Sequence, residues 1–190
     1  MFDPAHLMNL TMSFEDTVNM TDKPDQKGLR TSDNCHTNDW DRGQYCLCGA
    51  GRKIYYFRSW HDNHREDRRF DFRCAHISGA SSSGWNGPYN SGWNGWDGTF
   101  HWDGTGSNSY MVGMQSYHDN GREDRRFNLK YRNSNSWKLS ACTSWIMLNT
   151  YDRLIQMDAG QQVIGAFHSY HNNHHEDREF LVKLCSLVRK

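Results

Sequence analysis

The sequence predicts an all-β fold in which three repeats of about 55 residues are set in a pseudo-threefold arrangement and stabilised by disulfides. Three observations predict it. One cassette, Ser-aromatic-His-(Asp/Asn)-Asn-x-x-Glu-Asp-Arg-x-Phe, occurs three times without gaps. Alternating apolar runs flank every copy. Six cysteines are spread unevenly among the copies. The copies run from Ser59 to Phe70, Ser116 to Phe127 and Ser169 to Phe180, and their histidines His61, His118 and His171 are 57 and 53 residues apart. Units of this size cannot bury an apolar face alone, so the copies must pack against one another.

The strands follow from period-two alternation of aromatic and β-branched residues. Ile54 to Phe57, Tyr110 to Met114 and Val163 to Phe167 precede the cassettes, and Phe70 to Cys74, Phe127 to Tyr131 and Phe180 to Cys185 follow them. The polar segment between is turn chemistry, with Asn63, Asn120 and Asn173 expected to set the turns through side-chain-to-backbone bonds. A third strand per repeat is expected to begin at Trp40-Asp41-Arg42, Trp96-Asp97-Gly98 and Tyr151-Asp152-Arg153. These elements place one domain over 35–190, with repeats at about 39–77, 96–132 and 150–186. Residues 1–34 hold no Tyr or Trp and carry scattered charge, which reads as a poorly ordered lead-in.

Composition narrows the function classes. Lys+Arg and Asp+Glu balance at 22 each, so no net field draws nucleic acid. Only 36% of the residues are hydrophobic, yet 14% are aromatic, which suits a small core of large rings under polar loops. No stretch is long enough to span a membrane. No Gly-x-Ser-x-Gly, His-Glu-x-x-His or phosphate loop is present, and the abundant carboxylates and histidines recur with the repeat, so no enzyme and no cofactor is expected.

An even number of cysteines without a paired CxxC pattern reads as disulfides and an oxidising, extracellular compartment. The sequons at Asn9 and Asn19 agree with secretion as glycosylation sites. Met1 to Met20 shows no apolar signal-peptide run, so either a leader has been removed or the numbering begins inside a longer precursor. Comparison of the repeats suggests a pairing. Cys48 and Cys74 flank the first cassette, and both are missing from the second, where the equivalent positions fall near Thr105 and at Tyr131. Cys185 occupies the place of Cys74 without a counterpart of Cys48, and Cys142 is its nearest partner. Cys35 and Cys46 remain. This is one of fifteen possible connectivities.

The cassette, its flanking strands and the strand ends at Cys74 and Cys185 resemble the dermatopontin family from about Trp40 to Cys185. The His-Asn-Glu-Asp form is similar to invertebrate members. The resemblance implies a mainly β, disulfide-held, non-enzymatic protein of the extracellular matrix or of cell adhesion. Its implied partners are glycans, proteoglycans or collagen-type matrix, or cell surfaces. The family also includes a cnidarian cytotoxin, so a cytotoxin, haemolysin or agglutinating defence lectin is the alternative. The Tyr- and Asp-rich N-terminus of vertebrate members is missing, since the first tyrosine is Tyr45.

Two regions are candidates for binding. The cassette residues His61, Asn63, Glu66, Asp67 and Arg68, with His118, Asn120, Glu123, Asp124 and Arg125 and with His171, Asn173, Glu176, Asp177 and Arg178, include metal and sugar ligands. They read mainly as structural: Arg forks onto a neighbouring carboxylate, and the following Phe enters the core. His171, His174 and His175 form a cluster particular to the third copy, but a structural zinc needs four ligands, and no metal site is assigned. Gly84-Trp85-Asn86-Gly87 and Gly92-Trp93-Asn94-Gly95 repeat with a period of eight. Trp85, Asn86, Trp93, Asn94 and Trp96 are therefore the expected glycan contacts, with core filling as the competing use of these rings.

Overall fold

The computed structural model describes residues 33–190, and the sequons at Asn9 and Asn19 and nearly all of the expected lead-in lie outside them. Apart from one 3-10 turn, Thr105–Ser107, every regular element among the described residues is a strand. In chain order the strands are β1 (Asn34–His36), β2 (Gln44–Leu47), β3 (Arg52–Asp62), β4 (Asp67–His76), β5 (Trp85–Asn90), β6 (Phe100–Asp103), β7 (Tyr110–Asp119), β8 (Asp124–Ser134), β9 (Trp137–Ser140), β10 (Ile146–Met147), β11 (Ile155–Asp158), β12 (Val163–Asn172) and β13 (Asp177–Arg189). The fold is all-β and disulfide-bonded.

Three long antiparallel hairpins, β3–β4, β7–β8 and β12–β13, carry the three cassettes. Alternation buries Phe57, Phe70 and Phe72 in the first, Met114, Phe127 and Leu129 in the second, and Phe167, Phe180 and Val182 in the third. The register slips at the same distance before each cassette histidine, between Ile54 and Tyr56, Met111 and Gly113, and Ile164 and Ala166. A bulge there adds twist, which turns each hairpin toward the common core.

The hairpin turns are set one residue earlier than the sequence suggested. Asp62 Oδ1 accepts the N–H groups of His64 and Arg65, Asp119 Oδ1 accepts that of Gly121, and Asn172 Oδ1 accepts that of His174. An Asx side chain reaches the amide two residues on, so the first residue of the turn has the right geometry. Asn63, Asn120 and Asn173 point to solvent instead.

The third strands exist, but they begin later than expected. Trp40-Asp41, Trp96-Asp97 and Tyr151-Asp152 form turns in which Asp41, Asp97 and Asp152 have φ of 57°, 53° and 62°. The strands that follow, β2, β6 and β11, do not join the hairpin of their own repeat. β2 pairs with β7, β6 pairs with β12, and β11 returns to pair with β3. Gly113 permits the first of these crossings, since a Cβ there would run into the Cys46 carbonyl of β2. The resulting sheets have the orders β1-β2-β7-β8-β5, β10-β13-β12-β6 with β9 also on β13, and β11-β3-β4.

Phe70, Phe127 and Phe180 meet at the centre of the core, each edge-to-face with the other two at centroid distances of 5.9, 5.7 and 6.0 Å. Such geometry aims the positive ring edge at a negative ring face and adds to the burial of the rings. Disulfides join Cys35 to Cys46, Cys48 to Cys74 and Cys142 to Cys185. They tie β1 to β2, the end of β2 to β4, and the loop after β9 to β13.

Candidate functional site

The cassettes meet in a closed ring of ion pairs above the three phenylalanines. Arg68 forks onto Asp177, with its Nε and one terminal nitrogen 2.5 and 2.7 Å from the two carboxylate oxygens. Arg125 forks onto Asp67 at 2.9 and 2.8 Å, and Arg178 onto Asp124 at 2.7 and 2.8 Å. Each arginine thus binds the aspartate of another cassette, and its guanidinium also lies over that cassette's core phenylalanine: Arg68 over Phe180, Arg125 over Phe70 and Arg178 over Phe127. All six charged residues are buried. Burying unpaired ions would cost several kcal/mol each, so the fork must be complete. The remaining donors are used too: Arg68, Arg125 and Arg178 donate to the carbonyls of Arg153, Arg42 and Gly98. The aspartates also accept the backbone N–H groups of Asp41, Asp97 and Asp152.

Burial alone would raise Asp124 and Asp177. The nearby His171 and Arg178, and His61 and Arg68, outweigh it and hold both well below the usual carboxylate range. The histidine rings lie beside the same aspartates, with Nδ1 of His61, His118 and His171 at 3.2, 3.4 and 3.2 Å from Asp177, Asp67 and Asp124. These contacts are off the line of an ideal hydrogen bond. Burial pushes His118 below its ordinary value, whereas for His171 the influence of Asp124 prevails over burial and raises it.

Glu66, Glu123 and Glu176 crown this ring. They sit in the hairpin turns with φ of 51°, 49° and 45°, a conformation that costs a non-glycine residue about 1 kcal/mol. With the histidines, aspartates, arginines and phenylalanines of the cassettes they line a small central pocket of about 20 Å³. A hydrogen bond to Glu123, desolvation and the charges of Glu123 and Glu176 all push Glu66 upward. His174 and His175 do not join His171 here: they are exposed, and His175 stacks on Tyr151 at 4.5 Å.

The expected glycan residues fall into two places. Trp85 lies opposite Ser134 at the far end of β8, packs against Tyr110 and Trp137, and donates its indole N–H to the Ser81 carbonyl. Asn86 is bonded to Asn133 and Asn135. Asn94 N–H meets the Phe127 carbonyl, seven residues back along β8, which is roughly 20 Å away at the rise of a strand. There Trp93 and Trp96 lie edge-on to Tyr117 at 5.0 and 5.4 Å, with Arg122 and Arg126 over Trp96. Trp93 and Tyr117 are each 37% exposed, which leaves ring surface to meet a ligand. Asn94 is buried, and its amide is committed to Phe127 N–H and the Gly95 carbonyl.

Asn94 belongs to a set that sequence reasoning missed. Asn38 accepts Phe70 N–H and donates to the Arg68 carbonyl, and Asn149 does the same with Phe180 and Arg178. The signal was present as Asn-x-(Trp/Tyr)-Asp at Asn38, Asn94 and Asn149. Beside each stands an outer aromatic pair: Trp40 with Trp60 about Arg69, Trp96 with Tyr117 about Arg126, and Tyr151 with Tyr170, whose hydroxyl bonds Glu179.

Fold and site together define a disulfide-bonded β domain organised about a buried ring of ion pairs. The dermatopontin family model matches residues 38–189, and the chain belongs to that family. It is 34% identical over 152 residues to Millepora cytotoxin-1 of Millepora dichotoma, covering 78% of this chain and 65% of that protein, so the match spans just under two thirds of the cytotoxin's length. It is 38% identical over 155 residues to the hemagglutinin/amebocyte aggregation factor of Limulus polyphemus, covering 79% and 86% of the two chains. It is 31% identical over 143 residues to dermatopontin of Biomphalaria glabrata, covering 73% and 90%. No solved structure matches.

Proposed function

We propose that this protein is a secreted adhesion protein of the extracellular matrix, binding glycans or proteoglycans through loops on a pseudo-threefold β scaffold. The observation that carries the reading is the pair of exposed rings Trp93 and Tyr117, with the half-buried Trp96 and Arg122 beside them. An exposed ring offers an apolar face to the C–H face of a sugar. A neighbouring guanidinium offers a planar set of donors to hydroxyls, carboxylates or sulfates. The aromatic pairs at Trp40/Trp60 and Tyr151/Tyr170 give the scaffold two further outer groups of rings, and several weak sites on one body raise avidity without any new contact. Such multivalency suits matrix cross-linking and agglutination alike. The cassettes serve as the device that joins the three repeats.

The test is glycan-array binding and red-cell agglutination by purified protein beside Trp93→Ala. Trp93 is 37% exposed and packs edge-on against Tyr117, so the variant should lose about 1 kcal/mol of stability and stay folded while losing at least tenfold in binding. Unchanged binding would remove the loop from the site. A second reading, a cytotoxin or agglutinating defence lectin, is favoured by the names of two relatives. Haemolysis at a dose that gives no agglutination would select the cytotoxin over the matrix role.

A further inference from the structure

Two of the three disulfides stand side by side. Cys35–Cys46 and Cys48–Cys74 meet where β1, β2 and β4 come together, and Cys35 Sγ lies 3.6 Å from Cys74 Sγ. All four sulfurs lie within 4.8 Å of one another. The third disulfide, Cys142–Cys185, joins no such group among the described residues.

The four cysteines differ in access. Cys35 and Cys74 are half-buried, whereas Cys46 and Cys48 are fully buried. A thiolate breaks a disulfide by attacking one sulfur and releasing the other. A thiol from solvent therefore reaches the cluster at Cys35 or Cys74, and the later steps fall to sulfurs already in place. Cys46 and Cys48 are two residues apart and turn to the same side, because the Cys48 N–H prolongs the β2–β7 pairing. At the rise of a strand their Cα atoms are about 6.6 Å apart, within the span that a disulfide bridges. Arg52 donates to the Cys74 carbonyl at 3.1 Å while it pairs with Asp33 at 2.7 Å. A cation beside a cysteine favours its thiolate. Cys74 is therefore the half-buried sulfur better suited to leave, and Cys35 the one to be attacked.

We propose that this corner is a thiol–disulfide exchange site, at which a small monothiol converts Cys35–Cys46 and Cys48–Cys74 into Cys35–Cys74 and Cys46–Cys48. The incoming thiolate attacks Cys35 Sγ. A bond forms between them, the Cys35–Cys46 bond breaks, and the electron pair stays on Cys46. The Cys46 thiolate then attacks Cys48 Sγ, forms the Cys46–Cys48 bond and releases Cys74 as a thiolate. Cys74 closes on Cys35 Sγ, 3.6 Å away, and expels the small thiolate unchanged. Two protein disulfides stand before the exchange and two after it, so no oxidant or reductant is consumed. The exchange moves the covalent tie of β1 from β2 to β4, while β2 keeps its backbone pairing with β7. It depends neither on glycan binding nor on the ring of ion pairs.

The experiment holds the full-length, oxidised protein without oxygen at mildly alkaline pH with substoichiometric glutathione. The sample is quenched with acid, alkylated in denaturant, cut with trypsin without reduction and read by mass spectrometry. Trypsin cuts after Arg42, Arg52 and Arg73, so one peptide, 43–52, holds both Cys46 and Cys48. In the starting pairing it is bonded to the Cys35 peptide and to the Cys74 peptide. Exchange frees it with an internal disulfide and joins the other two to each other. The freed peptide should rise at least tenfold over a thiol-free control, with Cys142–Cys185 intact and the near-ultraviolet circular dichroism spectrum unchanged. Cys35→Ser leaves Cys46 a thiol from the start, so it should give the freed peptide and an alkylated Cys74 with no glutathione added. Should that variant not fold, the wild-type measurement decides alone. Retention of the starting pairs in the wild type, release only with loss of the dichroism spectrum, scrambling that includes Cys142–Cys185, or a folded Cys35→Ser protein alkylated at Cys46 instead of Cys74 would each overturn the proposal.

Discussion

Arg125 and Arg126 are adjacent on β8 and face opposite sides of it. Arg125 is buried, forked onto Asp67 of another hairpin, and its equivalents Arg68 and Arg178 do the same. Arg126 lies outside, over Trp96 and Tyr117, donating to the Asn94 carbonyl and the Tyr117 hydroxyl. Its equivalent Arg69 sits between Trp40 and Trp60, but in the third repeat the position is Glu179, bonded to Tyr170. The inner residue must fit a partner supplied by a different copy, so a change in one cassette strands a charge in another. The outer residue answers only to its own neighbourhood and is free to differ. The centre therefore carries what the repeats must share, and the outer groups of rings carry what distinguishes them.

The sharpest break of this comparison is Arg125→Met against Arg126→Met. The first leaves Asp67 buried without its fork and should cost about 3–5 kcal/mol. The second loses a partly exposed cation–π contact and an outer hydrogen bond, worth about 1 kcal/mol together. Urea denaturation measures both, and equal costs would mean that the ring is not what joins the hairpins.

Asn94→Ala probes the boundary between the two regions, because Asn94 reaches inward from the loop that carries Trp93 and Trp96. Removing it leaves Phe127 N–H unsatisfied in a buried place, at about 1–3 kcal/mol. The loss should appear in denaturant unfolding and in weaker glycan binding, since the one side-chain tie from Asn94 to β8 is cut while its backbone bonds to Phe127 and Arg126 remain. Asn38→Ala should cost the same stability and leave glycan binding unaltered.

The strands, the three cassettes and the inward phenylalanines were legible because alternation and repetition are local signals. The ring was legible only as far as its parts. Arg68 had to find some carboxylate, but nothing in the chain order says that it is Asp177 rather than Asp67, because that choice depends on how β2, β6 and β11 cross to neighbouring hairpins. The placing of the turn bond on Asn63 instead of Asp62 came from weighing residue type above position. The period of eight in the Trp-Gly segment suggested one patch. It hid a strand, β5, that carries Trp85 to one end of β8 and leaves Trp93 near the other.

The smallest expected effect lies in a network that the other repeats lack. Asp103 on β6 accepts bonds from Thr105 N–H and hydroxyl at 2.9 and 2.5 Å and from Lys183 at 2.9 Å. Partial burial works to raise it, but these donors prevail and lower it from 3.8 to about 2. A carboxylate depressed in the folded state adds stability that is complete above its unfolded value and lost as the pH falls through its folded one. The window here is pH 4 to 2. The carboxylate is 28% exposed, so solvent screening keeps the contribution below about 1 kcal/mol. The stability gap between wild type and Asp103→Asn should therefore be small at pH 6 and close as the pH approaches 2. A gap that persists at pH 2 would mean that the asparagine disturbs the β6–β12 pairing itself. In that case the outer strands would be bound to the shared framework as tightly as the ring.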